Sequence, residues 1–233
     1  MLVSKRSAEN PILLPRKENP WEAEASFNPS AVEDNGITHL VYRAVSKRTN
    51  VMGADREVSS IGYAKSKDGI HFTERRPLIA PEHEWEKFGC EDPRITKFED
   101  SYFIFYTALS QYPFSADGIK IGLAITKDFQ TIEKHPVTPF NAKAMALFPE
   151  RVNGKIAAIL TVHTDMPPAK ICLALFDTIE NIWSEEYWEK WYGELDTHVI
   201  DISKADQDQI EVGAPPLKTK DGWLLFYSYI YNY

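Results

Sequence analysis

The sequence predicts an all-β fold of repeated sheets, the pattern of a β-propeller, on three observations. First, a Pro-containing strand, a tight turn and an aromatic strand recur in that order four times. Second, the second turn residues stand at 36, 100, 154 and 222, at intervals of 64, 54 and 68 residues. Third, another apolar strand follows in each of the first three units. A β-sandwich does not require one order of strand types to recur four times.

The first unit runs Phe27-Asn28-Pro29-Ser30-Ala31-Val32, turns at Asn35-Gly36 and returns over 37–45. The second runs Glu91-Asp92-Pro93-Arg94-Ile95-Thr96, turns at Glu99-Asp100 and returns over 101–109. The third runs Leu147-Phe148-Pro149-Glu150-Arg151-Val152, turns at Asn153-Gly154 and returns over 155–163. The fourth runs Gly213-Ala214-Pro215-Pro216-Leu217-Lys218, turns at Asp221-Gly222 and returns over 223–230. Asn-Gly and Asp-Gly are strong hairpin signals because both turn positions want positive φ.

Third strands are expected at 60–64, 120–125 and 170–175, and proline-bearing fourth strands at 77–81 and 136–139. An outer edge tolerates proline, which donates nothing to the ladder. Residues 11–15 look alike but precede the first inner strand. Residues 181–195 break the pattern; they read as a surface insertion with Ser184 capping a short helix. The fourth unit stops after its second strand. Residues 1–233 are therefore expected to form a single propeller domain lacking its C-terminal blade, open beside 223–233, with residues 11–15 near the gap. The natural chain is expected to be longer by roughly 80–100 residues at this period.

Hydrophobic residues at 43% and charged residues at 26% fit a folded, soluble chain rather than a disordered one. A net charge of −8 argues against a nucleic-acid partner and an anionic membrane, though a few local cations can still hold one phosphate. No run approaches the roughly 18 apolar residues that span a bilayer, and Met1 to Asn10 has no signal-peptide core. Cys90 and Cys172 make neither a disulfide framework nor a metal-ligand spacing. A cytoplasmic address is expected, and self-association into a homo-oligomer stays open.

In a propeller the starts of the inner strands converge on one funnel. That set is Asn28, Glu91, Asp92, Arg94, Glu150, Arg151 and Glu211, with Arg43, Tyr106 and His163 on the second strands. Any one of them can equally cap a strand or make a structural ion pair. Asp92 stands out. Pro93 biases its backbone toward extended geometry, and Phe88, Cys90 and Glu91 surround it. A carboxyl beside another carboxyl and apolar groups is pushed up in pKa, which suits a general acid. Glycosidic cleavage needs such an acid and an opposed attacking group. The sequence holds no Gly-x-Ser-x-Gly elbow, no phosphate-binding glycine loop and no histidine pair at i, i+4, so no metal site is expected. The run from Asp206 to Glu211 lacks the central glycine of a calcium loop and reads as a solvated turn.

Five pieces in order carry a resemblance: Phe27-Asn28-Pro29; Tyr42-Arg43-Ala44; Glu91-Asp92-Pro93-Arg94; Leu147-Phe148-Pro149-Glu150 with Asn153-Gly154-Lys155; and Pro215-Pro216-Leu217-Lys218-Thr219 with Gly222-Trp223. Together they resemble family 130 of the glycoside hydrolases, the β-mannoside phosphorylases and hydrolases. The resemblance implies a five-bladed β-propeller, of which this chain covers about three and a half to four blades. It implies inverting cleavage of β-mannosidic bonds at the non-reducing mannose. Asp92 is then the general acid, acting directly or through a sugar hydroxyl. Asn28, Arg43 and Arg94 would grip the sugar, with Glu91, Tyr106 and His163 as further substrate contacts. Lys143 matches a lysine near phosphate and would share it with Arg94. No cofactor is implied; inorganic phosphate is the co-substrate of the phosphorylases.

Two departures bear on the attacking group. His163-Thr164 stands where phosphorylases usually have His-Arg, and Tyr227-Ser228 where they have Tyr-His. Each lost charge-assisted donor weakens oxyanion binding by about 1.5–3 kcal/mol. That favours hydrolysis with Glu211 as base, whereas Lys143 and Arg94 favour phosphorolysis. Both stay open in the sequence. So does a non-catalytic carbohydrate-binding propeller or inactive fragment, which would have no need of an unpaired Asp92.

Overall fold

The computed structural model describes residues 5–51, 53–205 and 207–232. Of the positions discussed above, residues 1–4, Asp206 and Tyr233 lie outside the described ones. The fold is all-β, built as successive antiparallel sheets. In chain order the first group is β1 (Ala25–Asp34), β2 (Ile37–Val45), the short ribbon β3 (Thr49–Val51) and β4 (Ala54–Arg56), β5 (Ser59–Ser66) and β6 (Thr73–Ile79). The next is β7 (Gly89–Phe98), β8 (Ser101–Leu109), β9 (Ile119–Thr126) and β10 (Glu133–Pro136). Then come β11 (Ala142–Leu147), β12 (Ile156–Val162), β13 (Lys170–Phe176), helix α1 (Glu185–Gly193), β14 (Gln209–Thr219) and β15 (Gly222–Ile230). Sheet order is β1-β2-β5-β6, then β7-β8-β9-β10, then β11-β12-β13, then β14-β15.

The turns form where their residues demand. Asn35 and Gly36 take φ of 51° and 73°, and Asn153 and Gly154 take 52° and 81°, the left-handed pair that a right-twisted hairpin requires. Apolar cores fill the space between successive sheets. Val41, Ile61 and Tyr63 meet Ile95, Ile104 and Tyr106 between the first and second. Phe98, Phe103 and Phe105 meet Leu160 and Phe176 between the second and third, where α1 adds Trp188 and Trp191. Ala146, Phe148 and Ile159 meet Ile210, Val212 and Trp223 between the third and fourth. The first strands of the four sheets lie together: β1 against β7, β7 against β11, and β14 against both β11 and β7.

Several details differ from the sequence-based expectations. The third inner strand is Ala142–Leu147, so Glu150 and Arg151 lie beyond it, bonded to Lys218 and Glu99 instead of converging with the others. The outer strands β6 and β10 begin and end a few residues earlier than expected, keeping Pro77 and Pro136 and leaving Pro81 and Pro139 outside. Residues 11–15 form no strand; Leu13 packs on the far face of the first sheet with Leu40, Tyr42 and Trp21. The third sheet has no fourth strand among the described residues. Ser184 caps α1 through the Tyr187 amide, and the helix lies along the β13 edge. There the Trp191 indole N–H donates to the Leu173 carbonyl at 3.2 Å and the Tyr187 hydroxyl to the Leu175 carbonyl at 3.0 Å. No helix among the described residues is long and apolar enough to cross a membrane.

Candidate active site

Each inner strand breaks register near its start, between Phe27 and Ser30, Glu91 and Arg94, Lys143 and Ala146, and Val212 and Ala214. A bulge of this kind re-aims side chains and is common beside active sites. Asn28, Asp92 and Ala144 sit at the first three breaks with φ of 46°, 50° and 57°. Pro93 was expected to keep Asp92 extended. The bulge overrides that bias, and Asp and Asn are the side-chain-bearing residues that enter the left-handed region most readily.

The bulges bring Asp92 and Asn28 face to face. Asn28 Nδ2 donates to Asp92 Oδ1 at 2.8 Å, and Arg43 Nη1 reaches the same oxygen at 3.4 Å. Asp92 is therefore not the unpaired carboxylate expected from the sequence. Both bonds end on Oδ1, which leaves Oδ2 without a side-chain partner among the described residues. Arg43 is itself fixed: Nη2 donates to Glu91 Oε1, Nε donates to Ser59 Oγ at 3.0 Å, and its guanidinium lies 5.0 Å from the Phe27 ring centre. Ser59 closes the triangle by donating to Glu91 Oε1 at 2.9 Å. Burial pushes the Glu91 carboxyl up, and the charge of Arg43 opposes the shift.

Arg94 continues the cluster toward the fourth sheet. Its Nη1 donates to the Asp92 carbonyl at 2.8 Å and its Nη2 to the Val212 carbonyl at 2.7 Å, while Glu211 Oε1 lies 3.7 Å from Nη2. Burial lowers the pKa of this guanidinium, and Glu211 counters that. Lys143 Nζ lies 2.7 Å from Glu211 Oε2. Asn28, Asp92, Arg94, Glu211 and Ser228 line one cavity of about 320 Å³. Glu211 also lines a smaller one with Lys143 and Thr164.

The remaining expected contacts lie elsewhere. Tyr106 is 2% exposed and donates its hydroxyl to Glu86, so it is a core residue and not a substrate contact. His163 lies past the end of β12, with its Nε2 2.8 Å from the Tyr192 hydroxyl. Thr164 is buried and Ser228 is exposed at the cavity rim. Asp208, in the segment likened to a calcium loop, accepts bonds from the Tyr229 hydroxyl and the Asn232 amide. Glu82, His83 and Glu86 cluster with ligand-like spacing, but Lys134 Nζ already lies 2.9 Å and 2.8 Å from the two carboxylates.

Sequence reasoning missed Ser59 because the apolar run it followed begins one residue later. It also missed a repeated Trp-Glu pair. Trp21-Glu22 and Trp85-Glu86 stand 64 residues apart, and Tyr42 and Tyr106 bond to Glu22 and Glu86. Aligning those pairs would have assigned Tyr106 to the core.

The site can now be set beside known proteins. A family model described as beta-1,4-mannooligosaccharide phosphorylase matches residues 5–231. A 1,2-beta-oligomannan phosphorylase of Thermoanaerobacter sp. (strain X514) is 34% identical over 97% of this chain and 72% of its own. A beta-1,2-mannobiose phosphorylase of the same strain is also 34% identical, with the same coverage. The structure of beta-1,2-mannobiose phosphorylase from Listeria innocua, in complex with beta-1,2-mannobiose, superposes with a TM-score of 0.73 at 23% identity. It covers 95% of this chain and 74% of its own, a likeness of fold. The chain belongs to glycoside hydrolase family 130, the family of the β-mannoside phosphorylases.

Proposed function

We propose that this enzyme cleaves β-mannosidic bonds at the non-reducing end of mannosides or manno-oligosaccharides, with inorganic phosphate attacking and the anomeric centre inverted. The four sheets act as blades of a five-bladed β-propeller whose inner strand ends form the site. One observation carries the reading: Arg94 and Lys143 grip a single carboxylate, Glu211, beside the cavity that Asp92 lines. Two cations converging on one anion make an oxyanion site, and phosphate fits it when Glu211 swings aside.

Asp92 is the acid. Asn28 and Arg43 donate to Oδ1, which leaves Oδ2 as the oxygen that delivers the proton to the glycosidic oxygen, directly or through a sugar hydroxyl. Phosphate attacks C1 from the opposite face, the C1–O bond breaks with its electron pair going to the leaving sugar, and mannose 1-phosphate forms. Arg43, Glu91 and Ser59 fix the acid's geometry, and Arg94 ties it to the anion site. The acidic surface, the 34% identical phosphorylases and two free buried cysteines fit a cytoplasmic enzyme of small carbohydrates.

A second reading is hydrolysis, with Glu211 as the base that activates water. The placement of Glu211 on the cations, with uncharged Thr164 and Ser228 nearby, favours it. Product analysis with β-1,2- and β-1,4-mannobiose, with and without phosphate, separates the two. Phosphorolysis yields mannose 1-phosphate and stops without phosphate; hydrolysis yields mannose in either buffer. Glu211→Gln is expected to lower the KM for phosphate about 3-fold or more by freeing the cations. Loss of turnover in that variant, with free mannose as the wild-type product, would establish the second reading.

A further inference from the structure

Three loops meet at the strand ends that carry Asp92: the β3–β4 ribbon, the segment before β7 and the loop after β8. Arg56, on β4, is 8% exposed, and its guanidinium lies 4.6 Å from the Phe88 ring centre and 5.0 Å from that of Tyr112. Tyr112 lies 6.2 Å from Phe88 and stands edge-on to Phe114 at 5.3 Å. The sunken cation holds Phe88 and Tyr112, and Phe114 leans edge-on against Tyr112, yet the outer surfaces stay open: Tyr112 is 51% and Phe114 55% exposed. Neither ring belongs to any of the cores between the sheets.

We infer that Phe88, Tyr112 and Phe114 form a sugar platform on the leaving-group side of the site, binding mannose units beyond the bond that is cleaved. This rests on the reading proposed above. Open aromatic faces cover the apolar C–H surfaces of pyranose rings, and rings locked before binding lose little freedom when they do so. Position supports the assignment. The Phe88 amide donates to the Leu109 carbonyl, and Gly89 and Glu91 pair with Leu109 and Thr107, so the platform continues the strand ends that hold Glu91 and Asp92. Phe88 stands four positions before Asp92, up to about 13 Å away at about 3.3 Å per residue of strand. That is beyond the second sugar of a disaccharide and within reach of a longer chain. The platform therefore selects for length and leaves the bond-breaking step untouched.

The test compares KM for mannobiose with KM for β-1,2- and β-1,4-linked tri- to pentasaccharides in the wild type, Tyr112→Ala and Phe114→Ala. Phe114 makes no contact with Arg56, so its removal leaves the loop anchor intact. The longer substrates of one linkage series are expected to lose about 3- to 10-fold in KM in both variants, with mannobiose and kcat unchanged. An equal loss at every length, or no loss at any, would overturn the platform. Should the wild type cleave no mannoside, the failure belongs to the proposed activity. Titration of Asp92→Asn, with and without Phe114→Ala, against the same oligosaccharides then decides the platform: tighter binding of longer chains that Phe114→Ala abolishes supports it, and unchanged binding rejects it.

Discussion

The first and second sheets are built on one plan. Trp21, Glu22, Asn28 and Tyr42 recur 64 residues later as Trp85, Glu86, Asp92 and Tyr106. In each copy a fully buried carboxylate accepts the tyrosine hydroxyl and pairs with a cation, Arg75 in the first sheet and Lys134 in the second. In each copy a glycine, Gly62 or Gly122, lets the tyrosine and tryptophan rings close over the strand. At the bulge the copies differ by one group: Asn28 carries an amide where Asp92 carries an acid. The scaffold repeats, and only the second copy places a carboxyl at the bulge. Burial separates the two kinds of carboxylate. Glu22 and Glu86 are fully buried with both oxygens bonded, whereas Asp92 has one oxygen without a side-chain partner among the described residues and lines a cavity.

The most direct way to break this comparison is to exchange the odd pair. Asp92→Asn is expected to lower turnover on the order of 10²–10⁴-fold with the fold intact, because the amide cannot donate the proton. The double exchange, Asn28→Asp with Asp92→Asn, is expected to stay inactive, since Arg43 and Glu91 are arranged around position 92. Circular dichroism and turnover on mannobiose check both; activity of Asp92→Asn within a few-fold of wild type would remove it from the role.

A smaller effect is expected from the buried carboxylates, and it should differ between copies. Glu22→Gln leaves Arg75 without its acidic partner and is expected to cost about 3–5 kcal/mol. Glu86→Gln is expected to cost less, about 1–3 kcal/mol, because Lys134 keeps Glu82 at 2.9 Å. Urea unfolding measures both, and a reversed order would break the account.

An effect no larger than that of Glu86→Gln tests the shared ring closure. A Cβ at Gly62 would stand 2.5 Å from a Tyr42 ring atom, and one at Gly122 2.6 Å from Tyr106. Gly62→Ala and Gly122→Ala are each expected to cost about 1–3 kcal/mol, the usual range for overpacking, and to match one another within error. A thermal melt that separates them widely would mean the two copies are not packed alike.

Much of this plan was legible in the sequence. Asn35-Gly36 and Asn153-Gly154 announced their hairpins because few residues tolerate that geometry, and Ser184 announced a helix start through its cap. The bulges were not legible. They depend on a mismatch between paired strands, and Pro93 pointed to extended backbone where the chain turns left-handed at Asp92. The same blindness displaced the third inner strand: Phe148-Pro149 looked like Asp92-Pro93, and the resemblance drew Glu150 and Arg151 toward the site. Lys143 came from the family resemblance alone, since nothing in its own neighbourhood marks it. Tyr106 was misread for another reason, because its partner Glu86 lies 20 residues away and only the duplicated Trp-Glu pair ties them together.

The outer edges of the described sheets are guarded unequally against strand pairing. The outer strands β6 and β10 carry Pro77 and Pro136, and β13 has two carbonyls occupied by the side chains of α1. Among the described residues only β15 presents a long, proline-free edge, with Phe226, Tyr227 and Ile230 exposed along it. On the other sheets, proline and the α1 side chains withhold the donors and acceptors that an added strand would need, so those edges resist pairing whatever lies beside β15.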